Sequence, residues 1–250
     1  MPVFAFRKEH TMHLYIVRHG QPIYSPKEQL TDLGHKQARA LAPRLIEAGI
    51  NKIYSSPLRR ARQTAEPTAN ELGIPINIEP WMSEDVTWRR FTQKFPDGKT
   101  RWVWEWDACS EFVRGANHDA GDEWWNIEPF KAMENGREGY AQLQAESDEF
   151  LARLGYVREG NEYRIERPNH DRVAVFCHQG FGLTWLSHLL RIPPNIFWIS
   201  FDLSHSGVTV LEWRNRKSGY TVPKVWCLSD LSHVFADDNQ EYRYHSNIRF

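Results

Sequence analysis

The chain has little of several features that mark particular protein classes. Among its 250 residues there are three cysteines, Cys109, Cys177 and Cys227, and no C-x-x-C pair. This odd, sparse set argues against a disulfide framework and favours a reducing compartment. No stretch approaches the roughly 18 apolar residues of a membrane span. The opening MPVFAFRKEHTM lacks the apolar core of a secretion signal. We therefore expect a cytoplasmic protein.

The sequence also lacks a strong net charge and several common site motifs. The formal net charge is −1 and the pI is about 6.8, so we expect neither nucleic acid nor a membrane as a partner. The G-x-x-x-x-G-K-[ST], H-E-x-x-H and G-x-S-x-G patterns are absent. The acidic stretch HDAGDEWW at 118–125 matches no standard metal spacing. We expect no metal and no organic cofactor. The sequence leaves open whether the protein forms a homodimer.

What is present is an alternation of apolar strands and amphipathic helices. The strand candidates are 13–17, 52–55, 75–79 and 172–177, followed by two near the C-terminus. The helix candidates are 33–48, 56–73, 140–154 and 181–190. This order predicts an α/β fold with a mainly parallel central sheet. We expect one domain over 13–235, with flexible ends at 1–12 and 236–250.

Capping and turn residues predict the ends of several helices and the position of a hairpin. Thr31 is a candidate cap for the first helix. Ser56 and Pro57 are typical of the first residues of the second helix, and Gly73 is typical of its end. The turn at 159–161 predicts a hairpin over 156–166.

Two of the predicted strands end in reactive side chains. LYIV is followed by Arg18 and His19, and VAVFC is followed by His178. Parallel strands place their carboxyl ends at one edge of a sheet, where α/β folds bind ligands. A guanidinium group matches phosphate oxygens, and a neutral imidazole is a nucleophile towards phosphorus. The sequence therefore favours phosphate chemistry at this edge.

Four stretches carry a family resemblance: VRHGQ (17–21), LTDLGHKQA (30–38), SSPLRRARQTAE (55–66) and VFCHQG (175–180). In this order they resemble the histidine phosphatase superfamily, which includes phosphoglycerate mutases and acid phosphatases. The resemblance implies a three-layer α/β/α sandwich of the phosphoglycerate mutase-like type. It also implies hydrolysis of a small phosphorylated substrate through a phosphohistidine, without a metal.

The resemblance assigns roles residue by residue. His19 matches the nucleophile, and Arg18 and Arg60 match phosphate-binding arginines, with Arg60 preferred to Arg59 because it directly precedes Ala61. His178 matches the second histidine, which binds phosphate and takes part in catalysis.

Three further positions carry weaker assignments. Glu84 stands where the family places its proton donor, with Asp85 beside it as the alternative. Gln21 is a candidate phosphate contact. His205 precedes a strand, and for it we favour a structural role in a loop over contact with phosphate.

Tryptophan is concentrated in the middle of the chain. Seven of the 11 tryptophans lie between Trp81 and Trp125, and WVWEW would place Trp102, Trp104 and Trp106 on one face of a strand. They build either a small core for an insertion or an aromatic wall of a pocket. By resemblance, 81–139 is a cap over the phosphate pocket that selects the leaving group.

The alternatives are a phosphoglycerate-type mutase and a non-catalytic protein that binds a phosphorylated ligand. The loop at 21–29 carries one cation, Lys27, against Glu28. The cap candidate is acidic, with Asp119, Asp122, Glu123 and Glu128. Such a site would repel a second phosphate. We therefore expect a phosphatase that favours one phosphate on a neutral, apolar or cationic leaving group.

Overall fold

The computed structural model describes residues 11–24, 28–95, 97–105 and 121–235. Its strands, in chain order, are β1 Thr11–Arg18, β2 Pro22–Ile23, β3 Gln29–Leu30, β4 Lys52–Ser55, β5 Ile76–Ile78, β6 Thr92–Lys94, β7 Thr100–Trp102, β8 Tyr156–Glu159, β9 Glu162–Ile165, β10 Arg172–Cys177, β11 Val208–Arg214, β12 Tyr220–Thr221 and β13 Lys224–Asp230. The α-helices are α1 Asp32–Glu47, α2 Arg59–Leu72, α3 Glu84–Phe91, α4 Gly136–Arg153, α5 Gln179–Leu190, α6 Pro194–Ser200 and α7 Ser232–Phe235. Short 3₁₀ turns lie at Pro80–Met82, Val103–Glu105, Gly121–Asn126 and Phe130–Ala132.

The central sheet has the order β13-β11-β1-β10-β4-β5 in the described chain. Strands β1, β10, β4 and β5 pair in parallel, whereas β11 runs antiparallel to both of its neighbours. The prediction of a mainly parallel sheet is therefore confirmed. Strands β8 and β9 form the predicted hairpin, which β12 extends.

Side chains alternate between the two faces of the sheet and build a core on each. In β1, Leu14 and Ile16 join the core beneath α4 and α5, whereas Tyr15 and Val17 join the core beneath α1 and α2. A strand that is covered on both faces needs this continuous apolar run. The result is the predicted three-layer sandwich.

Several elements begin at other residues than predicted. Strand β1 begins at Thr11 instead of residue 13, and Met12 is fully buried. Helix α4 begins at Gly136 instead of residue 140, and α5 begins at Gln179 instead of residue 181. Helix α2 begins at Arg59 with Leu58 as its cap, whereas the Ser56 hydroxyl accepts from Leu58 N at 3.3 Å and lies 2.7 Å from His178 Nε2. The remaining predicted flexible ends, 1–10 and 236–250, lie outside the described residues.

Other caps follow the sequence signals. The Thr31 side chain accepts a hydrogen bond from Gly34 N at the start of α1. Gly73 ends α2 with a φ of 64°, in the left-handed region that suits glycine. In the described part of the chain, no helix has the length and apolar character needed to cross a membrane.

The Trp-rich segment does not form the extended strand that would place its three tryptophans on one face. Strand β7 ends at Trp102, and a 3₁₀ turn follows at Val103–Glu105. Trp104 therefore stacks directly on Trp102, with ring centroids 4.7 Å apart, and on Trp198 at 4.8 Å. Trp106 lies outside the described residues. This packing joins the segment to the main core beneath α4 and α5.

Candidate active site

The pairing of β1 with β10 brings two histidines together. The register ends with Arg18 opposite Cys177, so His19 and His178 leave the sheet side by side. Their ring centroids are 5.1 Å apart, and both side chains are buried. The sheet edge that the sequence predicted as the site therefore carries both imidazoles.

His19 is held as a neutral base. Its Nδ1 lies 2.7 Å from the Gly20 carbonyl oxygen, which can only accept, so Nδ1 carries the proton and Nε2 carries the lone pair. Burial lowers the pKa of His19 well below its ordinary value, and the neighbouring His178, Arg18 and Arg60 lower it further. An imidazole in this state carries its nucleophilic electron pair on Nε2.

Arg60 reaches the same nitrogen from α2. Its Nε lies 3.3 Å from His19 Nε2, and the residue is only 4% exposed. The preceding Arg59 is exposed, because successive helical residues point about 100° apart. The structure thus separates the two arginines as predicted.

Arg18 is anchored by the loop that precedes β11. One guanidinium nitrogen donates to the Leu203 carbonyl oxygen, and another lies 3.0 Å from His205 Nε2. The His205 ring is 5.6 Å from the His19 ring. Sequence reasoning favoured a structural loop role for His205, but the fold brings this side chain to the two site residues.

His178 is the N-cap residue of α5 and contacts Ser56, which follows β4. Its Nε2 lies 2.7 Å from Ser56 Oγ, and in the described chain its buried Nδ1 has no hydrogen-bond partner. Burial lowers the pKa of His178 well below its ordinary value, and Arg60 and Arg18 add to the effect. Sequence reasoning missed Ser56 as a positioning residue, because it read Ser56 as a helix cap.

Glu84 closes the site from α3. Its two carboxyl oxygens accept from Gly180 N and Phe181 N, each at 2.9 Å. Burial raises the pKa of Glu84, although the two N–H groups and the arginines oppose this shift. Asp85 is exposed. A carboxyl with a raised pKa beside a phosphate pocket is the arrangement that a general acid needs.

Gln21 is directed towards the start of α1. Its Oε1 accepts from Thr31 Oγ1 at 2.9 Å, and its backbone N donates to Gln37 Oε1 at 2.7 Å. Gln21 is not among the described residues that line the site cavity. Its contact with phosphate stays a prediction.

The loop after β1 is fixed by a close contact between two glycines. A Cβ on Gly20 would lie 2.6 Å from the Gly34 carbonyl oxygen, and a Cβ on Gly34 would lie 2.2 Å from the Gln21 carbonyl oxygen. Gly20 N also donates to Thr64 Oγ1 at 3.0 Å. Three of the recognised sequence stretches therefore meet behind His19.

These groups line a cavity of about 430 Å³. Its described wall comprises Arg18, His19, Tyr24, Glu28, Arg60, Glu84, Asp85, Trp88, Trp102 and Gln179. Trp88 and Trp102 come from the predicted cap. The predicted acidic residues Glu123 and Glu128 are not part of this described wall, and Asp119, the Asp122 side chain and Lys27 lie outside the described residues.

The sequence matches the model of the histidine phosphatase superfamily (branch 1) over residues 14–116. It is 31% identical over 197 residues to the Probable phosphoglycerate mutase GpmB of Yersinia enterocolitica, covering 74% of this chain and 77% of that protein. The chain belongs to the histidine phosphatase superfamily.

Solved histidine phosphatases share its fold. A mycobacterial glucosyl-3-phosphoglycerate phosphatase aligns with a TM-score of 0.59 and 19% identity, over 88% of this chain and 100% of that one. A phosphoserine phosphatase from Entamoeba histolytica aligns with a TM-score of 0.58 and 19% identity, over 89% and 99%. These likenesses support the phosphoglycerate mutase-like architecture. The family and its relatives indicate a phosphatase or a mutase.

Proposed function

We propose that the protein is a phosphomonoesterase that hydrolyses a small phosphorylated substrate through a phosphohistidine intermediate. The observation that carries the proposal is the buried, neutral His19, whose Nε2 lies 3.3 Å from Arg60 Nε. This arrangement places a nucleophile and a fixed cation where a phosphoryl group would transfer. Arg18 supplies a second charge without a requirement for a metal.

The first step forms a bond between His19 Nε2 and phosphorus while the ester P–O bond breaks. Glu84 gives its proton to the departing oxygen, and an alcohol leaves. In the second step Glu84 takes a proton from water as the water oxygen attacks phosphorus. The N–P bond then breaks, which releases inorganic phosphate and restores neutral His19 and protonated Glu84.

The proposal is tested by trapping the intermediate. We expect wild-type protein quenched in base to carry label from a ³²P-labelled monoester, and we expect this label to be stable in base and lost on later treatment with acid. His19→Ala removes the nucleophile, so this variant should carry no label and lose nearly all turnover. His170→Ala is the matched control, since His170 does not line the described cavity. Label or full turnover in His19→Ala would refute the mechanism.

A mutase is the second candidate, because the Yersinia enterocolitica relative carries that name. A mutase must retain the phosphoryl group on the enzyme until it returns to the sugar acid, whereas a phosphatase releases it to water. Phosphate release should therefore exceed interconversion of 2- and 3-phosphoglycerate and need no bisphosphate primer. The reverse ranking would favour the mutase.

A further inference from the structure

The outer part of the site cavity is walled by aromatic rings. Trp88 and Trp102 contact each other edge to face, with centroids 4.7 Å apart and planes at 76°. Tyr24 lines the cavity as well, and its ring lies 5.6 Å from the Arg60 guanidinium carbon. Tyr24 is 56% exposed and Trp88 is 38% exposed. Their ring surfaces are therefore accessible to a leaving group above the phosphate position.

Carboxylates share this outer wall. Asp85 and Trp88 lie three residues apart on α3, so they occupy one side of the helix. Glu28 contributes a half-exposed carboxylate, whose Oε2 lies 3.7 Å from Arg60 Nη1. Both acidic residues line the cavity. Negative charge and aromatic faces therefore occur together at its mouth.

The charges divide between an inner and an outer region. Arg18 and Arg60 are the only lysine or arginine residues in the described cavity wall, and a phosphate dianion would use both. An anionic leaving group would then meet Glu28 and Asp85, and with Arg18 and Arg60 held by the phosphate the described wall offers no other lysine or arginine. A cationic group would instead meet two carboxylates and the negative faces of the rings.

We infer that the leaving group is an alcohol that carries an organic ammonium group and no anionic group, and that Trp88 and Asp85 select it. This inference rests on the proposed function, because it takes the inner cavity as the phosphate position. The ammonium would be bound by cation–π contact and by carboxylate charge. Trp88 and Asp85 are thus specificity residues, whereas Arg18 and Arg60 bind the phosphate.

The test compares phosphocholine with 3,3-dimethylbutyl phosphate, which has the same shape with carbon in place of the charged nitrogen. Binding is measured by calorimetry on the His19→Ala protein, which separates selectivity from turnover. We expect phosphocholine to bind at least about fivefold more tightly, as one exposed cation–π contact with added carboxylate attraction would give. Adding Asp85→Asn or Trp88→Leu should bring the ratio towards one. Glu149→Gln, an exposed carboxylate on α4, should leave it unchanged.

The outcomes separate the two claims. Equal affinity for the two ligands, tighter binding of the neutral ligand, or a ratio that neither variant changes would overturn the inference about the leaving group. Failure of the wild-type protein to hydrolyse nitrophenyl phosphate would count against the proposed function. The binding ratio would still decide whether the cavity selects an ammonium group.

Discussion

Replacing Glu84 by glutamine tests the acid and its structural role together. Both carboxyl oxygens accept backbone N–H bonds at 2.9 Å from the first turn of α5. A glutamine can accept one of these bonds through its carbonyl oxygen, but its NH₂ group faces the other N–H as donor to donor. One buried N–H therefore loses its partner, which costs about 1–3 kcal/mol. At about 2–4 °C for each kcal/mol, Tm should fall by about 2–12 °C.

The effect on catalysis should depend on the leaving group. An alkyl alkoxide needs a proton as it departs, and a positioned acid supplies about 10²–10⁴ in rate. Nitrophenolate is stable without that proton. Glu84→Gln should therefore lower kcat/KM for an alkyl phosphate by about 10³ and that for nitrophenyl phosphate by at most about tenfold. Asp85→Asn tests the neighbouring, exposed carboxylate as the alternative acid, and an alkyl phosphate without an ammonium group keeps this comparison separate from the proposed selection of the leaving group by Asp85.

The pH profile gives an independent readout. Burial raises the pKa of Glu84, so the acid form persists to higher pH than for an ordinary glutamate. Activity on alkyl phosphates should fall as pH rises through that pKa, and Glu84→Gln should lack this decline. Equal losses on both substrates, or a larger loss in Asp85→Asn, would refute the assignment of Glu84 as the acid.

Three further predictions concern Arg60, His233 and the tryptophans of the cavity. Arg60→Ala should lower kcat/KM for nitrophenyl phosphate by about 10²–10³, because it removes fixed hydrogen-bond donors to the transition state. Arg59→Ala should change kcat/KM by no more than about twofold, and a larger loss in Arg59→Ala than in Arg60→Ala would show that Arg59 is the phosphate-binding residue. Burial lowers the pKa of His233 from 6.5 to about 4, so the unfolded protein binds a proton at this residue more readily than the folded protein does. The contribution of His233 to the free energy of unfolding is therefore complete above pH 6.5 and is lost as the pH falls towards 4. His233→Asn should flatten that slope in urea titrations, and an unchanged slope would contradict this. Vanadate should change tryptophan emission through Trp88 and Trp102, and unchanged emission would place these rings away from the ligand.

The local sequence was sufficient to predict which edge of the sheet carries His19 and His178. The apolar runs before Arg18 and His178 specify buried strands, and parallel pairing then brings their ends together. The helix boundaries at Thr31 and Gly73 were also predictable, since capping depends on residues within one turn. These features need no knowledge of distant contacts.

Long-range contacts account for what the sequence did not reveal. Glu84 meets Gly180 and Phe181 across nearly a hundred residues of chain, so residue spacing near Glu84 could not show its partners. His205 reaches Arg18 across 187 residues of chain. The local sequence around His205 predicted only a loop before β11 and gave no sign of the contact with Arg18.

The Trp-rich segment shows a second reason why the local sequence does not predict the structure. Alternating tryptophans at Trp102 and Trp104 match a strand, yet the chain turns into a 3₁₀ helix after Trp102. Trp104 stacks between Trp102 and Trp198 in this geometry. Burial of large rings against the main core therefore overrides the local preference for an extended chain.

The family motifs divide into residues that meet the phosphate position and residues that position them. Gly20 and Gly34 come from different motifs, and neither has room for a Cβ, because each backbone rests on the other segment. Thr64 from a third motif accepts from Gly20 N at 3.0 Å, and its own hydroxyl donates to the Arg60 carbonyl oxygen at 2.8 Å. One packing unit thus fixes the loop that holds His19 and the helical turn that carries Arg60. This shared unit explains why the three motifs occur together in one sequence, since the nucleophile is positioned only when all three segments meet.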